Sequence, residues 1–224
     1  MPLLSYTLVR SRRSSVALTV SREGTLTVRA PLRFPIDRIE AFIEEKRAWV
    51  DRVTGKMRLR SEEKGSYTYQ DGEVFWYLGA RYPLRLSERS MPSLSFSGNE
   101  FVLARRFHSR AKERFLSWYR REAKRVLAER VEYFARENNL HYQSIKVNTA
   151  KTRWGSCSGK GNLNFSFRLV MAPLPIIDYV VVHELVHLAH KNHSSVFWNA
   201  VAAMYPDFET ARRWLKKNGH LLEC

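Results

Sequence analysis

The chain has 224 residues, of which 44% are hydrophobic and 12% aromatic, a composition typical of a folded protein rather than a disordered one. Lysine and arginine outnumber aspartate and glutamate by 38 to 22, which gives a formal net charge of +16. We therefore expect attraction to anions such as nucleic acid, nucleotides or an acidic protein surface.

The sequence favours a soluble protein of the cytoplasm. At the N-terminus the basic residues follow the apolar ones, which is not the layout of a secretory signal. The apolar stretch 176–182 is too short to span a bilayer, so no membrane partner is expected. The two cysteines, Cys157 and Cys224, are too few for a disulfide framework.

Residues 1–104 are predicted to form a small β-rich module with one helix. Apolar and polar residues alternate at 16–20 and 25–28 on either side of Glu23-Gly24, which indicates a hairpin. Pro35 precedes a stretch with apolar residues at helical spacing as far as Val53. Short strands are then expected between 67 and 103, with turns at Asp71-Gly72, Leu78-Gly79 and Ser97-Gly98.

Residues 105–224 are predicted to form a second domain, so the fold class is α+β. Apolar residues recur every three to five positions from about 105 to Asn138-Asn139, which predicts a long amphipathic helix with arginines on its other face. Two strands are expected at 144–149 and 162–167. A helix from Ile176 to about His190 should follow, and then a last helix over about 195–217 that breaks or bends near Pro206.

The chemistry is concentrated in the segment His183-Glu-Leu-Val-His187. Residues four apart on a helix lie on the same face, so the two imidazoles can reach one zinc ion. Glu184 lies off that face, where it can take a proton from a water on the zinc and act as the general base. The sequence therefore predicts an HExxH zinc site with His183 and His187 as metal ligands.

A catalytic zinc needs a third protein ligand, and His190 and His193 are the candidates. His190 shares the face of His183 but lies about 10 Å along the helix axis, too far for both to bind one ion. His193 follows Asn192, which can turn the chain in a left-handed conformation before a new helix capped by Ser194 or Ser195. We expect His193 to be the ligand and His190 an exposed or supporting histidine.

Several segments of the C-terminal half resemble the YgjP-like family of zincin metallohydrolases, which is related to the SprT-like and WLM metalloproteases. The segments are Trp154-Gly-Ser-Cys157, Leu163-Asn-Phe-Ser-Phe167, Asp178 to His187, Asn192-His-Ser194 and Phe197-Trp198. The resemblance implies a compact zincin-like domain with a small twisted sheet and an HExxH active-site helix. It also implies His183, His187 and His193 as zinc ligands and Glu184 as the catalytic base.

Three other residues near these segments are candidates for supporting roles. Cys157 can be a nucleophile, but a water activated by zinc makes a thiol nucleophile unnecessary, so packing beneath a strand that begins with a turn at Gly155 is favoured. Arg153 is a candidate for binding substrate and stabilising developing negative charge. Asn164, on the strand before the active-site helix, is a candidate for positioning substrate backbone.

The sequence leaves three functions open. The first is peptide hydrolysis by a zinc metallopeptidase, and the second is hydrolysis of a nucleoside triphosphate at the same site, with the arginines binding phosphates. The third is a non-catalytic nucleic-acid-associated protein with a structural zinc, which the presence of Glu184 disfavours. The basic face of the long helix is either solvated surface or a non-specific contact for nucleic acid. We rank peptide hydrolysis first and nucleotide hydrolysis close behind it.

Overall fold

The computed structural model describes residues 5–21, 24–62, 67–89 and 92–223, so Glu23 and Cys224 lie outside the described residues. The chain forms two compact units, residues 1–66 and 67–224. The boundary expected near residue 104 is therefore corrected to residue 66. The physical reason is aromatic packing, because Phe75 and Phe101 lie against Phe115 of the long helix, with ring centroids 4.1 and 5.3 Å away.

In the first unit the described residues form a three-stranded sheet and two helices. Its elements are β1 (Tyr6–Ser11), β2 (Ala17–Val20), β3 (Leu26–Pro31), α1 (Ile36–Glu45) and α2 (Arg47–Glu62). The predicted hairpin is present as the antiparallel pair β2 and β3, while β1 pairs with β3 in parallel. The single helix expected here is two helices, because Lys46, with φ −96° and ψ 9°, interrupts the helical backbone.

The described residues of the second unit form two sheets and four α-helices, in agreement with the α+β class. Its strands are β4 (Val74–Tyr77), β5 (Ala80–Ser87), β6 (Leu94–Phe96), β7 (Phe101–Ala104), β8 (Ser144–Asn148), β9 (Gly155–Cys157) and β10 (Asn162–Ser166). Its helices are α3 (Ala111–Glu137), α4 (Leu174–Val186), α5 (Ser195–Met204) and α6 (Phe208–Asn218). The predicted last helix is thus two helices that are separated at Pro206.

The two sheets of the second unit have different strand orders. One has the order β4-β5-β7-β6, and the other has the order β8-β10-β9, with β10 parallel to β8 and antiparallel to β9. Leu163 and Phe165 of the central strand β10 are fully buried, as the alternation of a strand with one covered face requires. The described part of the chain contains no helix long and apolar enough to cross a membrane.

Helix α4 is held in place by α3 and by the turn between β4 and β5. Arg130 of α3 donates two hydrogen bonds to Asp178 of α4, at 2.6 and 3.0 Å. Gly79 has a φ of +84°, and a Cβ atom there would lie 2.7 Å from Cγ of Pro173, the N-cap residue of α4. A glycine at this turn is therefore required both by the backbone conformation and by the close approach to α4.

Candidate metal centre

Helix α4 carries the first part of the predicted metal site. Its residues from Ile176 to Val182 are buried, so the helix is apolar on most sides and passes through the core of the unit. His183 and Glu184 lie in its last turn, and the helix ends at Val186, before the expected end near His190. His187 follows as the C-cap residue with φ −64° and ψ −12°, so it still continues the helical path.

The turn after α4 brings the chain back to the helix. The backbone N–H of His190 donates to the carbonyl of Val186 at 2.9 Å, and Lys191 Nζ donates to the carbonyl of His187 at 2.7 Å. Asn192 does not have the left-handed conformation that the sequence suggested, since the described non-glycine residues with positive φ are Tyr69, Leu78 and Asn139. These carbonyl hydrogen bonds close the turn without it, and Ser194 takes the N-cap position of α5.

The side chains of His183, His187 and His193 converge. One nitrogen from each ring lies within 4.8 Å of the others, and Nε2 of His183 is 3.1 Å from Nε2 of His193. Two nitrogens bound to one tetrahedral zinc at about 2.0–2.1 Å would lie roughly 3.3 Å apart. The separation of His183 and His193 therefore suits two ligands of one zinc ion, and His187 supplies a third ring nitrogen within 4.8 Å of both. Three such ligands would leave the fourth position of a tetrahedral zinc for water. That they bind zinc stays a prediction.

The protonation of the rings also suits a metal. Burial, and after it the neighbouring charges of His187, His193 and Arg212, lower the pKa of His183 to about 3. Burial likewise lowers the pKa of His187. Nδ1 of His187 lies 2.8 Å from the carbonyl of His190, and because a carbonyl only accepts, this nitrogen carries the hydrogen. Nε2 of His187 is then left with a lone pair for a metal.

Aromatic rings beneath and beside the histidines hold them in position. Phe197 of α5 is fully buried, and its ring centroid lies 5.0, 4.6 and 4.7 Å from those of His183, His187 and His193. Trp198 stacks on His193 at 5.7 Å. The start of α5 therefore forms the packing that orders the three imidazoles around one point.

Glu184 is almost fully buried, with 4% of its surface exposed. Burial raises its pKa to about 8, and the positive charge of Arg153 opposes this rise. Its Oε2 atom is buried and has no hydrogen-bond partner among the described residues. The Glu184 carboxyl group also lies against Gly155 of β9. A Cβ atom on Gly155 would be 2.5 Å from Oε1 of Glu184. An unsatisfied buried carboxylate oxygen beside a histidine cluster is what a general base facing a water would show.

The charges around these residues are positive. Arg153 lowers the pKa of Glu184, Lys191 lowers that of His187, and Arg212 lowers that of His183. The guanidinium of Arg212 lies over the Trp198 ring, 4.6 Å from its centroid. Arg153 was expected near the site from the sequence, and Gly155 was expected at a turn but not against Glu184. Lys191 and Arg212 were not expected near the site. The one sequence signal for Lys191 was its position between His187 and His193, while α6 gives no signal that Arg212 reaches the centre.

The remaining candidates lie outside the histidine cluster. Asn164 is on β10 opposite Ser156, half-buried, and its side chain makes no hydrogen bond with a described residue. Cys157 is half-buried and free, and burial raises the pKa of its thiol. A thiol held in its protonated form is a poor nucleophile, which agrees with a packing role. His190 contributes its backbone carbonyl to His187 rather than its ring to the cluster.

Comparisons with known proteins agree on a hydrolase. Residues 14–218 match the family described as YgjP-like, metallopeptidase domain. A protein of Escherichia coli (strain K12) named UTP pyrophosphatase is 29% identical over 129 residues, which cover 51% of this chain and 77% of that protein. A solved structure, the metallopeptidase zymogen abylysin of Pyrococcus abyssi, is 20% identical with a TM-score of 0.37, covering 41% of this chain and 93% of that one. At that TM-score the last likeness carries no argument about this chain.

Proposed function

The chain belongs to the YgjP-like family, which is described as a metallopeptidase domain. We propose that it is a metal-dependent hydrolase that cleaves a phosphoanhydride bond of a nucleoside triphosphate, with zinc as its metal. In this reaction water and the nucleoside triphosphate give a nucleoside monophosphate and pyrophosphate. His183, His187 and His193 are proposed as zinc ligands and Glu184 as the general base. Arg153 is proposed to bind the phosphates.

The observation that carries this proposal is the sign of the charge around the centre. Apart from the charges that the three histidines exert on one another, each charge that shifts the pKa of His183, Glu184 or His187 belongs to a cation: Arg212, Arg153 or Lys191. Three cations around a metal would repel a cationic substrate and offer little to a neutral peptide. A triphosphate carries about four negative charges near pH 7, and arginine and lysine are the side chains that bind phosphates in proteins.

The similar protein of Escherichia coli, named UTP pyrophosphatase, adds support. The aligned region covers 77% of that protein, so it includes most of the chain to which that activity is attributed. We therefore place UTP first among the nucleotides to be tested.

The residues of this chain have distinct parts in the proposed reaction. Zinc, when bound, lowers the pKa of a water and draws electron density from a phosphoryl oxygen. Glu184 accepts a proton at its unsatisfied Oε2 from the water that attacks the α-phosphorus and then returns it to the leaving pyrophosphate. The positive charge of the metal favours the ionised form of Glu184, which burial alone disfavours. Arg153 and Arg212 bind the phosphate oxygens on which charge increases as the bond breaks.

Peptide hydrolysis is the second candidate, and the description of the matched family as a metallopeptidase domain favours it. Three histidines with an adjacent buried glutamate suit attack on a peptide carbonyl as well as on a phosphoryl group. In that reaction the carbonyl oxygen, rather than a phosphate, would receive the stabilising charge of Arg153. The two candidate reactions therefore share the metal and the base. They differ in the substrate group that the cations bind.

One experiment separates the candidates. The zinc-loaded full chain is incubated with UTP, the other nucleoside triphosphates and an unfolded protein substrate, and pyrophosphate, monophosphate and new peptide termini are measured. We expect zinc-dependent release of equal amounts of pyrophosphate and monophosphate, lost in Glu184→Gln. Glu184-dependent peptide cleavage without pyrophosphate release would contradict the proposal and support the metallopeptidase.

A further inference from the structure

Charge is unevenly distributed along the long helix α3 and the 3-10 turns that lead into it. Residues 105–124 contain eight basic and two acidic residues, whereas residues 125–137 contain three of each. Ion pairs between neighbouring turns stabilise a solvent-facing helix, and like charges in the same positions destabilise it. The excess of basic residues in the first half of the helix therefore needs an explanation that the second half does not.

The arginines in the second half of α3 are paired with carboxylates. The pairs have separations of 2.6 to 3.7 Å and comprise Arg125 with Glu122 and Glu129, Arg130 with Asp178, and Arg136 with Glu137. These charges are accounted for by the fold itself. The first half of the helix differs from this arrangement.

Four cations form a stripe on the solvent side of the first half of α3. Arg110 is the N-cap residue, Arg114 lies one turn further along, and Arg121 and Lys124 continue the same face after Ser117. We call these four cations the α3 stripe. At 1.5 Å per residue it extends about 21 Å along the helix axis.

The α3 stripe faces solvent without carboxylate partners. Arg110, Arg121 and Lys124 are exposed and Arg114 is half-buried. None of the four has an ion pair or a side-chain hydrogen bond with another described residue. A row of cations about 21 Å long is therefore presented as one surface.

Positive charge is most crowded at the start of the stripe. The guanidinium carbons of Arg106 and Arg114 lie 4.7 and 4.6 Å from the centroid of the same ring, that of Phe107. Nε of Arg114 is buried and has no acceptor among the described residues. Cations near the first turn of a helix also oppose its macrodipole. The stripe is therefore arranged at a cost to the folded chain, which a bound polyanion would offset.

We propose that the α3 stripe binds the phosphate backbone of double-stranded nucleic acid, irrespective of base sequence. A duplex presents closely spaced phosphates with its bases paired inside, so a row of cations can contact several phosphates together. Proteins that bind single strands add aromatic side chains on which bases stack. None of the large hydrophobic side chains that are exposed in the described part of the chain lies on the stripe. Charge without a stacking surface favours a duplex.

The packing of α3 disfavours an acidic membrane as the partner. Helices that bind to a bilayer surface insert an apolar face between the lipids. The apolar face of α3 is in the core of the second unit, where Phe115 and Leu127 are fully buried. The inference does not depend on the proposed function, because a duplex can contact α3 whatever bond the metal centre hydrolyses.

The test is fluorescence anisotropy of a labelled DNA duplex of mixed sequence, titrated with the zinc-loaded full chain at several salt concentrations. Two variants each lose three positive charges at exposed positions: Arg110→Gln/Arg121→Gln/Lys124→Gln as the stripe variant and Lys146→Gln/Lys160→Gln/Lys217→Gln as the control. Their net charges are equal, so a difference between them reports where the duplex binds. Glutamine is a good helix former, which keeps α3 intact in the stripe variant.

We expect the stripe variant to bind the duplex about tenfold or more weakly at low salt. The slope of log affinity against log salt concentration should become shallower by about 2 to 3, since about 0.9 counterion is released for each phosphate contact. The control should keep a slope close to that of the parent, because its charges contribute through screened long-range attraction. The stripe variant should melt at the parental temperature or slightly above it, because it relieves repulsion between like charges.

Four outcomes would overturn the proposal. Equal duplex binding by the stripe variant and the control would show attraction by net charge or binding elsewhere. A lower melting temperature of the stripe variant than of the control would show that these cations stabilise the fold. Tighter binding of a single strand than of the duplex would contradict the choice of partner. Binding of polyglutamate as tight as that of the duplex, and lost in the stripe variant, would assign the surface to acidic proteins.

Discussion

Gly155 and Glu184 lie so close together that a methyl group on Gly155 would overlap with the carboxyl group of Glu184, at 2.5 Å from Oε1 and 2.6 Å from Cγ. Gly155 begins β9, and Glu184 is in the last turn of α4, so the strand forms one side of the pocket for the proposed base. Real Cβ atoms do not approach other atoms this closely. The identity of Gly155 is therefore set by the position of Glu184 rather than by the backbone conformation of a turn.

Gly155→Ala should reduce turnover without removing the metal. The new methyl group must push the Glu184 carboxyl aside, and a base displaced by about 1 Å can cost on the order of 10²-fold in rate. Gly159→Ala is the matched control, because a Cβ there meets no atom within 4 Å. The measurement is turnover together with zinc content. Equal turnover in both variants would show that the Glu184 position is not critical.

Glu184→Gln should keep the zinc while turnover falls on the order of 10²-fold or more, the range for general-base catalysis. The amide has the same shape but cannot accept a proton from the attacking water. Glu113→Gln, at an exposed position of α3, should have parent-like turnover. Elemental analysis and steady-state rates test this. A Glu184→Gln variant without zinc would instead show that Glu184 is needed to assemble the metal site.

His193→Ala should weaken zinc binding severely, whereas His190→Ala should leave it nearly unchanged. The ring of His193 is within reach of His183, while His190 supports His187 through its backbone carbonyl, which alanine retains. Competition with a chelator of known zinc affinity measures the difference. If His190→Ala weakened zinc binding as much as His193→Ala does, the ring of His190 would have to be a zinc ligand.

The sequence was enough to predict the residues that converge in the metal centre, because helical spacing and zinc geometry depend on short-range rules. His183 and His187 lie one helical turn apart, and the preference for His193 over His190 followed from axial distance. The turn itself was not predictable in detail, since Asn192 is not left-handed and the chain is held by carbonyl hydrogen bonds.

Long-range packing accounts for the features of the fold that could not be predicted from the sequence. The domain boundary was placed near residue 104 because the pattern changes there from strands to helix. The contact of Phe75 with Phe115, which joins those strands to α3, has no local signature in the sequence. The approach of Gly155 to Glu184 and of Arg212 to Trp198 likewise depends on elements that meet only in the folded chain. Side chains that reach a site from distant elements are therefore the ones that sequence spacing does not reveal.

Asp178→Asn should destabilise the protein by about 2–4 kcal/mol, because it leaves the Arg130 guanidinium partly buried without its charged partner. The side chains of this pair are 19% and 12% exposed, and the pair joins α3 to α4. The melting temperature should fall by roughly 5–10 °C. Glu88→Gln removes the partner of Arg105 in a pair whose side chains are 57% and 81% exposed, and should change stability by less than about 1 kcal/mol. Similar melting temperatures for both variants would contradict this role of Asp178.

The last prediction concerns Arg153, the cation that acts on Glu184 and that the proposed function assigns to the substrate phosphates. If a nucleoside triphosphate is the substrate, Arg153→Gln should lower kcat/KM by about 100- to 1,000-fold, the scale for losing one donor to a charge that develops in the transition state. Arg121→Gln on the exposed face of α3 is the matched control. It should change the rate only slightly and mainly at low salt, because a distant exposed charge is screened beyond about 8 Å at physiological ionic strength. Zinc content should be the same in parent and both variants, which separates substrate binding from metal loss.

If both variants hydrolyse nucleotide as fast as the parent, Arg153 does not bind the reacting phosphates. If Arg153→Gln cleaves an unfolded protein at the parental rate while no form of the chain hydrolyses nucleotide, the metal centre acts on peptides.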